Sequence, residues 1–270
     1  MVNPAHVAWL ENTGDTFQTA DGKTVEVWRL NHVADGAVLS DWARHFRQHY
    51  CTDGDLAALV EGTGLSNSQY LTQIKFPDAQ TAPGPSTRSG DFGEILVADY
   101  IEYVLGYWCP RQVRYEDRYN RNAPTHGCDV MGFRFAGEEP GEPNDELFAL
   151  EAKAGFGPTN DNRLQQAIDG SIKDLKREAM SLNAIKQRLR KVNLAQARAI
   201  QRFQNAADHP FVRKHGAAAI LEDSVFTDMN LASSDASKHP NRDNLVLIVI
   251  RGEAMMQLVH ALYQRAADEA

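Results

Sequence analysis

Cysteine is scarce in this 270-residue chain. Cys51, Cys109 and Cys128 lie far apart, with no C-x-x-C spacing and no histidines gathered around them, so neither a disulfide framework nor a structural zinc is indicated. Long apolar runs are missing too: nothing approaches the ~20 residues of a membrane span. The start, Met1-Val2-Asn3-Pro4-Ala5-His6, has no basic segment leading into an apolar one, and a cytoplasmic protein without a membrane partner is expected. There is no Walker-type phosphate loop, which argues against ATP use by this chain. There is no Gly-x-Ser-x-Gly elbow for serine hydrolase chemistry, and no repeat at solenoid periods.

Positive charge is in deficit, with a net charge of −8 and a pI near 5.6. Such a chain does not coat nucleic acid unaided. The distribution is uneven, however. Between Asn162 and Arg202 ten Lys or Arg face three acids, about +7 within an acidic protein. Lys173, Lys176, Arg177, Lys186, Arg188, Arg190 and Lys191, with Arg198 and Arg202 beyond, are candidates to track a phosphate backbone. A solvated helix face or a docking surface for an acidic partner would carry the same residues.

At 43% hydrophobic the chain can bury one substantial core, or a core with a smaller lobe. The Pro/Gly/Ser/Thr-rich stretch from Asp78 to Ser89 is the expected boundary. It separates an N-terminal α+β lobe, residues 1–85, from a larger domain, 86–270. In the lobe, Thr24 to Leu30 alternates as a strand, Leu39 to Tyr50 reads as a helix with an aromatic face, and Leu56 to Val60 as a shorter one. Its separation from the motifs below suggests a partner-docking role.

Two apolar runs carry the chemistry. Val130 to Phe135, preceded by Gly127-Cys128-Asp129, and Leu147 to Leu150, followed by Glu151-Ala152-Lys153, read as short strands. Residues two apart share a strand face, so Glu151 and Lys153 point the same way. If the polar connection from Glu138 to Asp145 closes a hairpin, Asp129 lies beside them. Two carboxylates and an ammonium suit phosphodiester hydrolysis: hard oxygens hold magnesium, with manganese as a substitute, and the lysine favours a metal-bound hydroxide and offsets transition-state charge. Alone, E-x-K is common at strand ends. Upstream, Arg88-Ser89-Gly90-Asp91-Phe92-Gly93-Glu94 opens a helix to about Leu105, placing Glu94 in its first turn. There a glutamate either complements the helix dipole or serves as a third metal carboxylate.

The expected element order is that helix, strands at about Gln112 to Arg118, Asp129 to Phe135 and Leu147 to Lys153, a long helix or helical pair from Asn162 to Ala207, and a strand at Ala217 to Leu221. A strand from Asn244 to Ile250 and an amphipathic helix from Glu253 to Ala267 follow. This order resembles the α-β-β-β-α-β mixed-sheet core of the PD-(D/E)xK nuclease superfamily, an α/β restriction-endonuclease-like fold, with Cys128 where many members have the motif proline. The resemblance implies catalytic roles for Glu94, Asp129, Glu151 and Lys153, the three acids as metal ligands. The runs Ser89 to Leu96, Gly127 to Phe133 and Leu150 to Lys153 are more specifically similar to the HamA family, nuclease subunits of the bacterial Hachiman anti-phage system. That resemblance implies a DNA-cleaving effector controlled by a superfamily 2 helicase partner, HamB.

Two accessory positions are weaker. His126, three residues before Asp129, could touch a metal water, though loop histidines are usually incidental. Gln166 falls where some relatives place an orienting glutamine. Arg88 and Asp91 are expected to brace the Glu94 helix, Asp91 by capping. A catalytically silent subunit that binds DNA or the helicase, and an RNase with the same metal site, remain alternatives.

Overall fold

Strict period-two alternation in two apolar stretches sorts their side chains onto opposite faces of one sheet. Ala218, Ile220, Ile248 and Ile250 join one core, while Ala217, Ala219, Leu247 and Val249 join another. The computed structural model describes residues 3–137, 142–158 and 161–270. A 3-10 turn at Ala5–Trp9 leads into a hairpin of β1 (Leu10–Gln18) and β2 (Thr24–Leu30). Helices α1 (Gly36–Arg47), α2 (Asp53–Val60), α3 (Asn67–Tyr70) and α4 (Gly84–Asp99) follow, the last two each extended by a π turn. Then come β3 (Val130–Arg134), β4 (Glu146–Gly155), α5 (Arg163–Val192), α6 (Leu194–Gln201) and β5 (Val212–Glu222). The chain closes with α7 (Asp228–Ala232), β6 (Leu245–Gly252) and α8 (Met255–Asp268).

The result is a mixed α/β architecture, a six-stranded sheet in the order β1-β2-β6-β5-β4-β3 flanked by helices. β2, β6, β5 and β4 run parallel, and the edge pairs β1/β2 and β3/β4 are antiparallel. Residues of α1, α4 and α8 pack on one face. Leu164, Ala167 and Ile168 of α5 pack on the other, and the α5 C-terminal half with α6 covers β3.

Three expectations change. The first 85 residues are not a detached lobe: β2 pairs with β6 from Val25↔Leu247 to Leu30↔Gly252, and Trp42 and Phe46 share a core with Phe92 and Tyr263. The segment read as a linker is half helix, because Pro85 needs no N–H in a first turn and the Ser86 and Ser89 hydroxyls bond back to the Pro83 and Pro85 carbonyls at 2.6 and 2.8 Å. α4 therefore begins at Gly84, which places Glu94 and Asp91 in mid-helix, away from any cap or dipole end.

The third change concerns Gln112 to Arg118, where turns replace the expected strand. Val113 takes a φ of +51°, and the Val113 and Tyr115 amides bond to the Gln48 and His49 carbonyls. The reason lies in side-chain spacing. Arg111, Arg114 and Arg118, three and four apart, run antiparallel to Asp99, Glu94 and Asp91 of α4 and pair with them at 2.6, 3.0 and 2.8 Å. A period-two strand cannot present all three to one helix. The sheet is touched only before this segment, by a single bridge between Trp108 and Phe133 among the described residues. The link between β3 and β4 lies partly outside the described residues.

Candidate active site

β3 and β4 pair antiparallel with Val130 opposite Leu150, so Asp129, the residue before β3, falls opposite Glu151. The Ala152 amide donates to Asp129 Oδ2 at 3.0 Å, fixing that carboxylate at the strand end. Lys153 Nζ contacts Glu151 Oε1 and lies 3.8 Å from Asp129 Oδ2. Glu94 comes from α4 and accepts from Arg114 Nε and Tyr115 Oη, both at 3.0 Å on Oε2. All four line one groove of about 900 Å³. Gly93 lets α4 approach this closely, since a Cβ there would lie 3.4 Å from Ala154 and Ile220 side-chain atoms.

The groove strains its acids electrostatically. Burial raises Glu94 to about 8 against the pull of Arg114, with Asp129 adding to the rise. Burial and then Asp129 raise Glu151 to about 8 despite Lys153. Burial lowers Lys153, but Asp129 and Glu151 outweigh it, and the ammonium is held above its usual value. Like-charged groups crowded out of water favour protonation or a bound cation.

One acid in this cluster was not legible as part of it. Asp174, on α5 among the basic residues, is raised to about 7 by burial and then by Asp129, and its carboxylate faces that of Glu151. Neither of its oxygens, nor Glu151 Oε2, meets a nitrogen or hydroxyl donor among the described residues, and only the weakly donating Cys128 thiol lies beside Asp174. The available signal was a charge at a buried helical position, in step with Leu164, Ala167, Ile168 and Ser171. Arg114 and Tyr115 were missed because their segment read as a strand. Arg163 was missed as well; it lines the groove and donates to Gln166 Oε1 at 2.7 Å.

The remaining candidates divide. Gln166, Lys173 and Arg177 line the groove. His126 does not line it but lines an adjoining pocket of about 50 Å³ together with Glu94, Asp129 and Arg188. Arg188 and Lys191 line a separate cavity of about 570 Å³, and burial pulls Arg188 down to about 10. Lys186 bonds Gln204. Lys176, Lys186 and Arg190 are not among the groove residues.

Hard carboxylate oxygens that face one another without donors suit a magnesium-like cation. The tightest set of possible ligand atoms among the described residues is elsewhere, at His6, His45 and Asp99, within 4.8 Å of one another. There, each imidazole already meets an Asp99 oxygen, at 3.0 and 2.9 Å, and Arg111 meets the same carboxylate at 2.6 Å. A cation would have to displace or oppose that guanidinium, so we read this cluster as a structural knot.

A family model, HamA, matches residues 5–266 of the 270. The chain belongs to the HamA family. That family is a component of the Hachiman anti-phage defence system, and the match runs through β1 and β2 as well as the groove. No curated protein matches the chain. No helix among the described residues is long and apolar enough to cross a membrane.

Proposed function

We propose that this HamA chain is a metal-dependent nuclease that hydrolyses DNA phosphodiester bonds under the control of a partner helicase. The observation that carries the proposal is the convergence of Asp129, Glu151 and Lys153 on one groove end, with Glu94 on its wall. The element order α4, β3, β4, α5, β5 supports a PD-(D/E)xK core whose first strand has shrunk to the Trp108 bridge. A bound magnesium or manganese ion would supply Lewis-acid polarisation and a water of lowered pKa.

The chain's own residues have separable tasks. Asp129 and Glu151 offer oxygens for the ion, and Asp129 is kept in place by the Ala152 amide. Glu94 is oriented by Arg114 and Tyr115, placed to hold a proton or, once it is lost, to complete the acid set. Lys153 holds a proton firmly and places its charge where a phosphorane oxygen would develop. Arg163, Lys173 and Arg177 give the groove its phosphate-facing cations.

Those few cations, within a chain of net charge −8, fit a protein that receives DNA from a partner instead of capturing it alone. The superfamily 2 helicase follows from the family resemblance. Its docking surface would belong to the same body as the groove, since the first 85 residues share its sheet. The test is cleavage of plasmid DNA and of RNA with magnesium, with and without the neighbouring helicase. The expected result is DNA cleavage by the wild type and loss in Lys153→Ala. RNA cleavage alone would reassign the substrate, and DNA binding without any cleavage would identify a silent subunit.

A further inference from the structure

We propose that Asp174 is an additional oxygen ligand of the groove's cation site, reaching it from α5 beside Glu151; this rests on the metal-dependent reading above. Asp174 is 1% exposed, and among the described residues no nitrogen or hydroxyl donor meets either carboxylate oxygen; beside it lies only the thiol of Cys128, a weak donor. Arg177, half-buried, approaches Oδ1 only to 3.8 Å. The Asp174 carboxylate faces Glu151, whose Oε2 is likewise buried and without a donor. Two acceptors meeting in a buried place need something between them, either a shared proton or a cation.

The packing of α5 shows that this meeting is built into the fold. One turn before Asp174, a Cβ at Gly170 would stand 2.5 to 2.6 Å from Glu151 Oε1, Cδ and Cγ. Only glycine lets the helix lie against the Glu151 side chain, and residues four apart on a helix share a face. The same face that yields to Glu151 at Gly170 then presents a carboxylate at Asp174. Glu151 and Lys153 alternate onto this α5 side of β4, while Leu150 and Ala152 belong to the α4 side. Asp174 itself is not among the groove's lining residues; it stands behind Glu151, which is, on the helix layer opposite Glu94, so oxygen donors are offered from both layers and the strand ends.

Calorimetric titration of the metal-free protein with Mn2+ tests this, using wild type, Asp129→Asn, Glu151→Gln and Asp174→Asn. The expected result is weaker Mn2+ binding in Asp174→Asn, by about tenfold or more. Its metal-free unfolding midpoint should equal or exceed that of wild type, because an amide can donate to Glu151. If Asp174→Asn keeps wild-type affinity while Asp129→Asn and Glu151→Gln lose it, Asp174 is not a ligand and the metal-dependent reading stands. If the wild type binds no Mn2+, both fall. Should Asp174→Asn fail to fold, an anomalous Mn2+ peak within about 2.5 Å of an Asp174 oxygen in wild-type crystals supports the assignment, and a peak that touches only Asp129 and Glu151 overturns it.

Discussion

Asp91 and Asp99 on α4 are as deeply buried as Glu151 and Asp174 in the groove, but their surroundings are opposite. Asp91 takes both oxygens to Arg118 at 2.8 Å and a third bond from Tyr50 at 2.6 Å. Around Asp99, burial pushes the carboxyl up, but Arg111, His45 and His6 prevail and hold it well below the usual carboxylate range. Glu151 and Asp174 keep oxygens with no nitrogen or hydroxyl donor among the described residues, and both are raised. Buried acids in folded proteins are ordinarily satisfied. The saturated pair therefore belongs to the scaffold, where it ties the 111–118 segment to α4. On the proposed reading, the unsaturated pair marks the place where the cation would bind.

The contrast breaks first, and most severely, on the saturated side. Arg118→Met leaves Asp91 buried with its main partner gone and should cost about 3–5 kcal/mol of stability in urea unfolding. Glu151→Gln should cost almost nothing in the metal-free protein. If the two variants unfold alike, the distinction between the pairs collapses.

Next in size comes turnover. Lys153→Ala should lower single-turnover DNA cleavage by about 10²–10³-fold, with Mn2+ affinity near wild type. A parallel loss of Mn2+ affinity would place Lys153 among the residues that shape the site, not among those that act in the reaction.

Smaller still is the pH dependence of the metal-free protein. Glu94, Glu151 and Asp174, raised to about 8, 8 and 7, bind more protons folded than unfolded, so their contribution is present at low pH and is lost as pH rises through those values. Below 6.5, buried histidines such as His215, lowered to about 4, act in the opposite direction. Between pH 6.5 and 8 the acids are unopposed, and stability should fall by on the order of 2 kcal/mol. Saturating magnesium should flatten that slope; a slope that ignores magnesium would separate the raised acids from cation binding.

The smallest effect sharpens the basic tract. Lys173→Ala, in the groove, should reduce the salt dependence of DNA binding by about one counterion, and Lys186→Ala and Arg190→Ala should leave it unchanged. Equal effects from all three would return the interface to the whole helix.

Much of this was written in local patterns. The strand expected at 24–30 is observed with those bounds, the one expected at 244–250 runs from 245 to 252, the helical pair expected over 162–207 ends at 201, and Asp129 falls opposite Glu151 in the pairing of β3 with β4. β1 was not legible, because Leu10-Glu11-Asn12-Thr13-Gly14-Asp15-Thr16 is an exposed edge strand with an irregular register and little apolar alternation. The three arginines facing three acids of α4 were hidden because each motif looked ordinary alone, and only packing reveals their pairing. Asp174 was submerged in a basic helix, its meaning set by Glu151, which arrives from another layer.

The most direct single measurement is plasmid cleavage by wild type and Glu151→Gln across a magnesium titration, in the presence of the helicase partner. We expect cleavage that rises with magnesium in the wild type and stays at background in Glu151→Gln at every concentration. Equal cleavage by the two proteins, or cleavage indifferent to magnesium, would contradict the assignment of this groove as a metal-dependent nuclease site.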